Sequence, residues 1–314
     1  MRIIFMGTSC FAVPSLHAIA ECPQHDLIAV VTQPDRPHGR GGKLATSPVK
    51  DAAQSLGIQV LQPERVRRAQ FFDTISHLNP EALVVAAFGQ IIPQRILDIP
   101  RFGGINVHGS LLPRWRGAAP MQYSLMAGDR ETGVTTMQMD AGMDTGDILL
   151  AKSTPLSDED NVASVEKRLA EIGAEILLTT LTLLELGECP RAIQDETLVT
   201  LCPPLAPDIG QINWNMDAER IHNLVRGLTP RPGTFTFWAG KRLKIHKTTL
   251  SANLDKSDLP AGSVQTITRE GITITTGCGQ LLVNTVQPEG KPVMPASDWA
   301  RGARLQTGTC LDTN

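Results

Sequence analysis

The sequence of 314 residues has no paired-cysteine motif and no long apolar run. Its six cysteines are scattered and none stands in a CxxC pair, which argues against a structural zinc site or a disulfide framework. No apolar run approaches the roughly 20 residues that a membrane-spanning helix needs. The first apolar run breaks at Gly7, too early for the apolar region of a signal peptide. We therefore expect a cytoplasmic protein with reduced thiols.

Two nucleotide-binding motifs are also missing. A dinucleotide-binding turn needs GxGxxG after the first strand, and this sequence reads GTSCFA there. No GxxxxGKS or GxxxxGKT loop occurs anywhere in the chain. These absences disfavour a nicotinamide or flavin cofactor and exclude a P-loop.

Short apolar runs alternate with helical periodicity through the first part of the chain. The run ALVVAAFG at 82–89 is apolar throughout and ends at a glycine. Apolar strands that alternate with helices are typical of a mostly parallel sheet covered on both faces. The pattern predicts strands at 2–6, 27–33, 58–62, 82–89, 103–109, 133–139 and 147–152, and helices at 13–21, 51–56, 66–78 and 162–186.

The pattern changes after the segment 188–207, which contains four prolines and no clear period. Beyond it, a short helix at 218–226 leads into alternating β segments joined by glycine-containing turns, which is typical of a small barrel. We predict an α/β fold with a Rossmann-like first domain at 1–189, a linker at 190–207, and a small OB-like β-barrel domain at 208–314.

The net charge of −3 hides an asymmetry between these parts. Residues 208–314 carry +3 and residues 1–207 carry −6. From Arg220 to Leu254 there are seven basic residues and no acidic one. Such a stretch indicates either a polyanionic partner or a solvated basic face.

A long insertion follows the second predicted strand, at 33–50. It holds three prolines, three glycines and four basic residues, with Asp35 as its one acid. Irregular loops of this length are usually functional or disordered. A basic loop on an acidic domain would suit phosphate contacts, although a tolerated surface insertion explains the same composition.

Two polar residues interrupt the apolar strand in GGINVHG. Asn106 and His108 are two positions apart, so in a strand they project to the same face. Burying an amide and an imidazole costs several kcal/mol unless both are hydrogen-bonded. The pair is therefore either a structural network or part of a site.

Three acidic residues cluster in MDAGMDTGDIL, at Asp140, Asp144 and Asp147. Carboxylates on a glycine-rich turn can bind a metal or take part in acid–base chemistry. A calcium loop is disfavoured, because the glutamate at its twelfth position is missing and strands flank the segment.

These two segments together resemble the folate-dependent formyltransferases. The match consists of GGINVHGSLLPRWRGAAP at 103–120 followed by GVTTMQMDAGMDTGDIL at 133–149. The opening RIIFMGTSCFAVPSL, the loop QPDRPHGRGGKL and the terminal β domain extend the likeness over almost the whole chain. The resemblance implies that Asn106, His108 and Asp144 are catalytic.

The same resemblance implies a donor co-substrate, 10-formyltetrahydrofolate, and no metal. The pterin ring is expected to bind main-chain groups after the 82–86 strand and in the 138–144 loop. The residues implied in donor binding are Phe88, Gly89, Gln90, Ile91, Ser110, Leu111, Leu112, Pro113 and Asp140, with Leu83 and Val85 as further apolar lining.

The implied chemistry suits the three catalytic residues. An amine attacks the formyl carbon and an oxyanion forms, which the Asn106 amide and a protonated His108 can stabilise by donating hydrogen bonds. A carboxylate at Asp144 would favour the imidazolium and could relay protons from the amine, directly or through water.

The resemblance implies the free amino group of initiator methionyl-tRNA as the acceptor, and the two basic features fit such a polyanionic partner. We expect tRNA contacts at Arg36, Arg40 and Lys43 in the insertion and at Arg242 and Lys244 in the terminal domain, and a monomeric enzyme without membrane attachment.

Three other functions remain open at this stage. The acceptor could be a sugar or ribonucleotide amine, but ribonucleotide enzymes of this kind lack the terminal barrel and sugar enzymes should lack the basic insertion. Water could be the acceptor in a formate-releasing hydrolase, which would leave the basic terminal domain without a purpose. A non-catalytic tRNA-binding protein is disfavoured because Asn106, His108 and Asp144 are intact.

Overall fold

The computed structural model describes residues 1–38, 43–251 and 258–311. These residues form two compact units. The first comprises Met1–Pro120, Glu131–Pro155 and Glu166–Cys202, and the second comprises Met121–Arg130, Leu156–Val165 and Pro203–Asn314. Two short segments before residue 166 thus belong to the second unit, which no periodicity in the sequence indicates.

The first unit contains eleven of the strands found in the described residues. They are β1 (Arg2–Gly7), β2 (Asp26–Val31), β3 (Arg36–His38), β4 (Lys43–Ala45), β5 (Val60–Leu61), β6 (Ala82–Ala86), β7 (Gly104–His108), β8 (Arg116–Gly117), β9 (Glu131–Gln138), β10 (Ile148–Pro155) and β11 (Leu201–Cys202). The second unit contains β12 (Thr234–Trp238), β13 (Lys241–Leu250), β14 (Val264–Ile267), β15 (Ile272–Thr275), β16 (Gln280–Pro288) and β17 (Met294–Pro295). The α-helices are α1 (Val13–Glu21), α2 (Pro48–Ser55), α3 (Ala69–Leu78), α4 (Gln94–Leu97), α5 (Pro120–Ala127), α6 (Val162–Leu186), α7 (Ala218–Leu228) and α8 (Ala296–Ala303).

Seven strands of the first unit form one mixed sheet in the order β10-β9-β7-β6-β1-β2-β5. The five strands from β7 to β5 are parallel, whereas β9 and β10 are antiparallel to their neighbours. The strand order reverses around β1, which pairs with β2 on one side and β6 on the other. In open α/β sheets, ligands bind at the carboxyl ends of strands at such a reversal. The predicted mostly parallel α/β sheet is confirmed.

The strands and helices of this unit follow from their local sequence. β6 and the residues of β1 after Arg2 are buried. Their apolar runs are continuous because both faces of the sheet are covered at these strands. α1 and α6 have the predicted bounds of Val13–Glu21 and Val162–Leu186. α2 begins at Pro48 because the Ser47 hydroxyl accepts a hydrogen bond from the Lys50 amide, which caps the helix.

The reading of 33–50 as irregular throughout is wrong at both ends. β3 and β4 form a short antiparallel hairpin, and α2 already starts within the segment. Asp35 ties the base of this hairpin to the sheet, since it accepts hydrogen bonds from Lys50 at 2.5 Å and from Gln62 at 2.8 Å. Lys50 is therefore an internal ion-pair partner of the insertion.

The second unit is built on an antiparallel sheet in the order β12-β13-β16-β15-β14, with β17 paired to β16. This arrangement confirms the predicted change to all-β structure. Its core surrounds Trp214, which is fully buried and whose indole N–H donates a hydrogen bond to Thr236. The sequence analysis missed three short helices, α4, α5 and α8.

No helix within the described ranges combines the length and the apolar character needed to cross a bilayer.

We expect the hairpin of β14 and β15 to show how much the second core contributes to stability. Ile274 on β15 is fully buried, whereas Ile267 on β14 is 38% exposed. Ile274→Ala should lower the free energy of unfolding by about 2–5 kcal/mol through lost burial and a cavity. Ile267→Ala, the same change on the neighbouring strand, should cost less than about 1 kcal/mol because part of the side chain already contacts water. Urea unfolding followed by tryptophan fluorescence measures both, and equal losses would show that burial in this core does not control stability.

Candidate active site

The end of β7 carries the two polar residues that interrupt its apolar run. Asn106 is half-buried and pairs in register with Val85 of β6, while His108 is 6% exposed and faces Thr135 of β9. β7 thus brings both side chains to one face near the carboxyl edge of the parallel strands.

Asp144 meets both of them from the loop between β9 and β10. Its carboxylate accepts a hydrogen bond from the Gly117 amide at 2.8 Å and a longer one from Asn106 Nδ2 at 3.4 Å. Its Oδ2 lies 3.7 Å from His108 Nδ1. The backbone at Asp144 is left-handed, with φ of 55°, a conformation that aspartate tolerates better than most residues. The three residues predicted to be catalytic therefore converge.

The hydrogen bonds of His108 define its two ring nitrogens. Nε2 lies 2.9 Å from the carbonyl oxygen of Trp115. Because a carbonyl oxygen can only accept, Nε2 carries the proton of that bond. Nδ1 then faces the carboxylate of Asp144, and the two form an ion pair when the imidazole is protonated. Nδ1 is thus the position where a proton can be gained or lost beside a carboxylate.

The turn that follows β7 is held by internal hydrogen bonds. The Ser110 hydroxyl donates to the Arg114 carbonyl at 2.6 Å, and Thr135 donates to the Ser110 carbonyl at 2.7 Å. The Leu112 amide donates to the same threonine hydroxyl at 3.1 Å. Ser110 and Leu112 are buried, so their side chains shape the turn. Of the four residues of this turn that were predicted to bind the donor, Leu111 and Pro113 are half-buried.

The segment after β6 presents mainly backbone. The Phe88 carbonyl accepts hydrogen bonds from the Thr8 hydroxyl at 2.9 Å and from Gln33 Nε2 at 3.2 Å. The Phe88 ring itself is buried in the core together with Leu83 and Val85. These three apolar side chains therefore lie beneath the segment and support it.

The next three residues of this segment, Gly89, Gln90 and Ile91, differ in their contacts and exposure. Gly89 has φ of 82°, which favours glycine. Gln90 turns away from the sheet edge, because its side chain accepts from the Val66 amide at 3.0 Å and donates to the Pro63 carbonyl at 3.3 Å. Ile91 is 84% exposed and is the member whose side chain is open to a ligand.

Asp140 is separated in role from Asp144. It is exposed, and its Oδ1 accepts hydrogen bonds from the Gly142 amide at 3.0 Å and from the Thr145 hydroxyl at 2.7 Å. Asp140 thus caps its own loop, and no contact of its side chain with His108 or Asn106 is seen in the described residues.

The structure describes the side chain of one of the three predicted tRNA contacts in the insertion. Arg36 is exposed at the start of β3. Lys43 begins β4, but its side chain, like the whole of Arg40, lies outside the described residues.

The predicted contacts in the second unit lie on one strand face. Arg242 and Lys244 are two residues apart on β13, so they project to the same side. The Arg242 guanidinium is exposed and stacks over the Phe235 ring at 3.7 Å from its centre. Because Phe235 is itself buried, the ring supports the guanidinium from beneath, and the face presents cations that could contact phosphates.

The basic run from Arg220 to Leu254 is less open than its sequence indicates. Arg226 is buried and donates to the Ser157 carbonyl at 3.0 Å, and burial lowers its pKa. Lys247 pairs with Glu159 at 3.1 Å. Two of the seven basic residues are thus occupied by a segment about 60 to 90 residues earlier in the chain, which a count along the sequence could not reveal.

The chain is similar to known proteins over its whole length. Residues 1–181 match the formyl transferase family, and residues 204–304 match the formyl transferase C-terminal domain. Methionyl-tRNA formyltransferase of Geobacter sulfurreducens is 45% identical over 311 residues, covering 99% of this chain and 96% of the relative. Its namesake from Moorella thermoacetica is 46% identical over 312 residues, covering 99% of each chain.

A solved structure shares the fold at much lower identity. The crystal structure of the N-formyltransferase from Helicobacter canadensis, in complex with folinic acid and dTDP-3-aminofucose, superposes with a TM-score of 0.65 and 18% identity. The match covers 91% of this chain and 98% of that one. With both domain matches and the two full-length relatives, the chain belongs to the formyl transferase family. The resemblance drawn from 103–120 and 133–149 is confirmed.

Cys202 should be the least reactive thiol of the protein. It is fully buried beside the site, where its Sγ donates to the Trp115 carbonyl at 3.1 Å, and burial raises its pKa to about 11. At pH 8 only about one molecule in a thousand would carry the thiolate there. Iodoacetamide at pH 8 should modify the exposed Cys10, Cys278 and Cys310 first, as read by peptide mass spectrometry. Labelling in urea provides the control in which all sites react, and early labelling of Cys202 in the folded protein would contradict its burial.

Proposed function

We infer that the protein transfers the formyl group of 10-formyltetrahydrofolate to the free amino group of initiator methionyl-tRNA, giving N-formylmethionyl-tRNA for translation initiation. The observation that carries this inference is the convergence of Asn106, His108 and Asp144 at the edge of the sheet. Relatives that match almost the whole chain at 45% and 46% identity are methionyl-tRNA formyltransferases, which supports the choice of acceptor.

The donor fits the carboxyl edge between β6 and β7. A pterin ring has a row of donors and acceptors that suits backbone partners, and the turn at Gly89 exposes backbone at this edge. Ile91 and Met143 are 84% and 66% exposed, and would cover an aromatic ligand placed there. The Helicobacter canadensis structure holds folinic acid, a formylated folate, in a protein of the same fold.

The catalytic residues act on the charge that develops during transfer. The amine nitrogen attacks the formyl carbon, and the carbonyl oxygen becomes an oxyanion. When this tetrahedral intermediate collapses, the bond from the formyl carbon to the folate nitrogen breaks, and that nitrogen leaves as an amine after taking up the proton that the attacking amine has released. An amide NH2 has two hydrogens, and the bond to Asp144 uses one, so Asn106 can donate the other to that oxygen. Protonated His108 would donate from Nδ1. Asp144 accepts the proton that leaves the attacking amine, directly or through water, and balances the imidazolium.

The other acceptors fit the chain less well. A sugar amine would not require the cationic face formed by Arg242 and Lys244 on β13. Hydrolysis of the donor would use the first unit alone. A non-catalytic tRNA-binding protein would not need the hydrogen bonds that hold Asp144 beside His108.

Further parts of the assignment remain proposals. We assign catalysis to residues 1–189, a connecting role to 190–207 and tRNA binding to 208–314, and we assign contacts with the acceptor end to Arg36, Arg40 and Lys43. A monomer is expected to suffice, because all three catalytic residues come from one chain. The cytoplasm is the expected compartment, and all six cysteines are free thiols, as a reducing environment maintains them.

Formyl transfer by the purified protein tests this function directly. Incubation with 10-formyltetrahydrofolate and charged initiator tRNA should yield formylmethionine. Asn106→Ala and His108→Ala should each lower turnover by about 10²–10³, since each removes a donor to the oxyanion. The variants must retain the melting temperature of the wild type to within a few degrees. Turnover within about threefold of wild type for either variant would refute its catalytic role.

The affinity for tRNA should depend steeply on salt. Each phosphate contact releases counterions, so the double change Arg242→Gln and Lys244→Gln should weaken binding to many tRNAs and flatten the plot of log affinity against log salt by about two units. Binding is measured by fluorescence anisotropy between low and moderate salt.

A matched double variant controls for net charge. Arg269→Gln and Arg301→Gln remove two exposed cations of the same unit that lie close together beside β14, at the sheet edge away from β13, and should leave the slope close to that of the wild type. If both double variants flatten the slope equally, general charge rather than this face would govern binding. If the wild type binds tRNA no better than a neutral control protein, a sugar-type acceptor becomes the better assignment.

A further inference from the structure

Residues 191–202, here called the return segment, run back over the first unit instead of leading directly away from it. Ala192 and Ile148 exchange two backbone hydrogen bonds of 2.8 and 2.9 Å. Ten residues later, β11 pairs in parallel with β8. The proline-rich composition predicted a linker, yet the segment contacts both loops that carry the active site.

Gln194 binds the loop of Asp144 from within the return segment. Its side chain is 4% exposed, and its amide donates to the carbonyl oxygens of Asp144 at 2.8 Å and Gly146 at 2.7 Å. Its Oε1 accepts from Arg116 Nε at 2.9 Å. Arg116 is also buried and forms a two-pronged ion pair with Glu196 at 2.9 and 3.3 Å. The buried amide is therefore fully satisfied, which fixes its orientation.

The path of the Asp144 loop explains why it needs such a bond. β9 runs antiparallel to β7, and Gln138 at its end lies opposite Ile105 near the start of β7. The loop therefore begins at the amino end of β7, whereas Asp144 reaches His108 at the other end. The left-handed backbone at Asp144 is a further cost, which persists only where surrounding contacts hold it. Gln194 supplies a hydrogen bond to this strained residue and another to Gly146, two positions later.

Thr200 contacts Trp115, the residue whose carbonyl oxygen is hydrogen-bonded to His108. Its hydroxyl accepts a hydrogen bond from the Trp115 amide at 2.8 Å, and its carbonyl accepts from the Arg116 amide at 2.9 Å. Trp115 is also left-handed, with φ of 60°. In this conformation its carbonyl points at His108 Nε2, so Thr200 holds the group that holds the histidine.

We propose that Gln194 and Thr200 are positioning residues that set the geometry of the His108–Asp144 pair, one through the Asp144 loop and the other through the Trp115 carbonyl. Neither side chain bonds directly to His108 Nδ1 or to the Asp144 carboxylate, so both act through backbone. This inference rests on the proposed function of that pair, and it extends the active site into a segment that otherwise connects the two units in the sequence.

Thr200→Val tests the proposal with little change in shape, because valine keeps the volume and removes the hydroxyl. We expect kcat for formyl transfer to fall about tenfold or more, since small misplacements of reacting groups are costly, while KM for donor and for tRNA stays within about twofold. Thr200→Ser restores a hydroxyl and should recover kcat. Thr197→Val is the matched control, because Thr197 is exposed and its hydroxyl bonds only to Asp195 in its own turn. Gln194→Met, which keeps the length but cannot donate to two carbonyls, should act like Thr200→Val.

Nitrogen NMR of the His108 ring supplies a readout that requires no substrate. The wild type should show a protonated Nε2, assigned by comparison with His108→Gln, and Thr200→Val should shift both ring nitrogen signals while Thr197→Val and Thr200→Ser should not. Unchanged kcat and unchanged shifts in Thr200→Val and Gln194→Met would overturn the proposal, as would an equal loss of kcat in Thr197→Val. If the wild type fails to formylate methionyl-tRNA, the proposed function is refuted, and the nitrogen shifts still decide whether the return segment positions His108.

Discussion

The active site depends on keeping one carboxylate, that of Asp144, close to an imidazole while both are largely shielded from water. A partly buried charge is stable only if hydrogen-bond donors replace its lost hydration. The Gly117 amide at 2.8 Å and the Asn106 amide at 3.4 Å do so here. These donors come from different loops and strands, so the carboxylate is satisfied only when the surrounding backbone is correctly folded. Its position is therefore a consequence of the whole edge of the sheet.

The mixed sheet brings these groups together, but it requires one loop to return from the opposite end of the strands. Parallel strands β6 and β7 deliver backbone and polar side chains to their shared carboxyl edge. The antiparallel pair β9 and β10 sends its loop from the opposite end, and the loop must fold back across the face of β7 to meet His108. Trp115 and Asp144, two non-glycine residues near the site, have a left-handed backbone conformation. Strain of this kind is found where function fixes a geometry that local preference opposes.

Local patterns in the sequence predicted what local physics controls. The periodicities of α1 and α6 gave their observed bounds, since each helix has its own apolar stripe. The spacing of Asn106 and His108 placed them on one face, because alternation is a property of the strand itself. The choice of Asp144 among three neighbouring acids needed the family resemblance. The structure adds the physical difference from Asp140, whose carboxylate closes its own turn.

Contacts between distant parts of the chain were out of reach of such patterns. Nothing in the residues around Gln194 indicates that its amide will lie against Asp144, fifty positions earlier. The basic run of the second unit likewise contains no acidic residue, yet Arg226 and Lys247 contact residues 157 and 159, far earlier in the chain. In both cases a polar side chain is satisfied by a partner from a segment without periodicity, and the pairing follows from the packing of the complete fold.

The acceptor must be chosen by such surface features, because the fold itself does not choose it. A sugar-nucleotide-bound relative superposes on 91% of this chain with a TM-score of 0.65, although only 18% of the aligned residues are identical. The residues proposed to be catalytic, Asn106, His108 and Asp144, lie on β7 and on the loop between β9 and β10, which belong to the seven-stranded sheet. Exposed residues such as Arg36, on the hairpin, and Arg242, stacked on Phe235, lie on elements that can change without disturbing that sheet. Function therefore resides in sites placed on a shared scaffold, and here the exposed cations are the features that fit a polyphosphate acceptor.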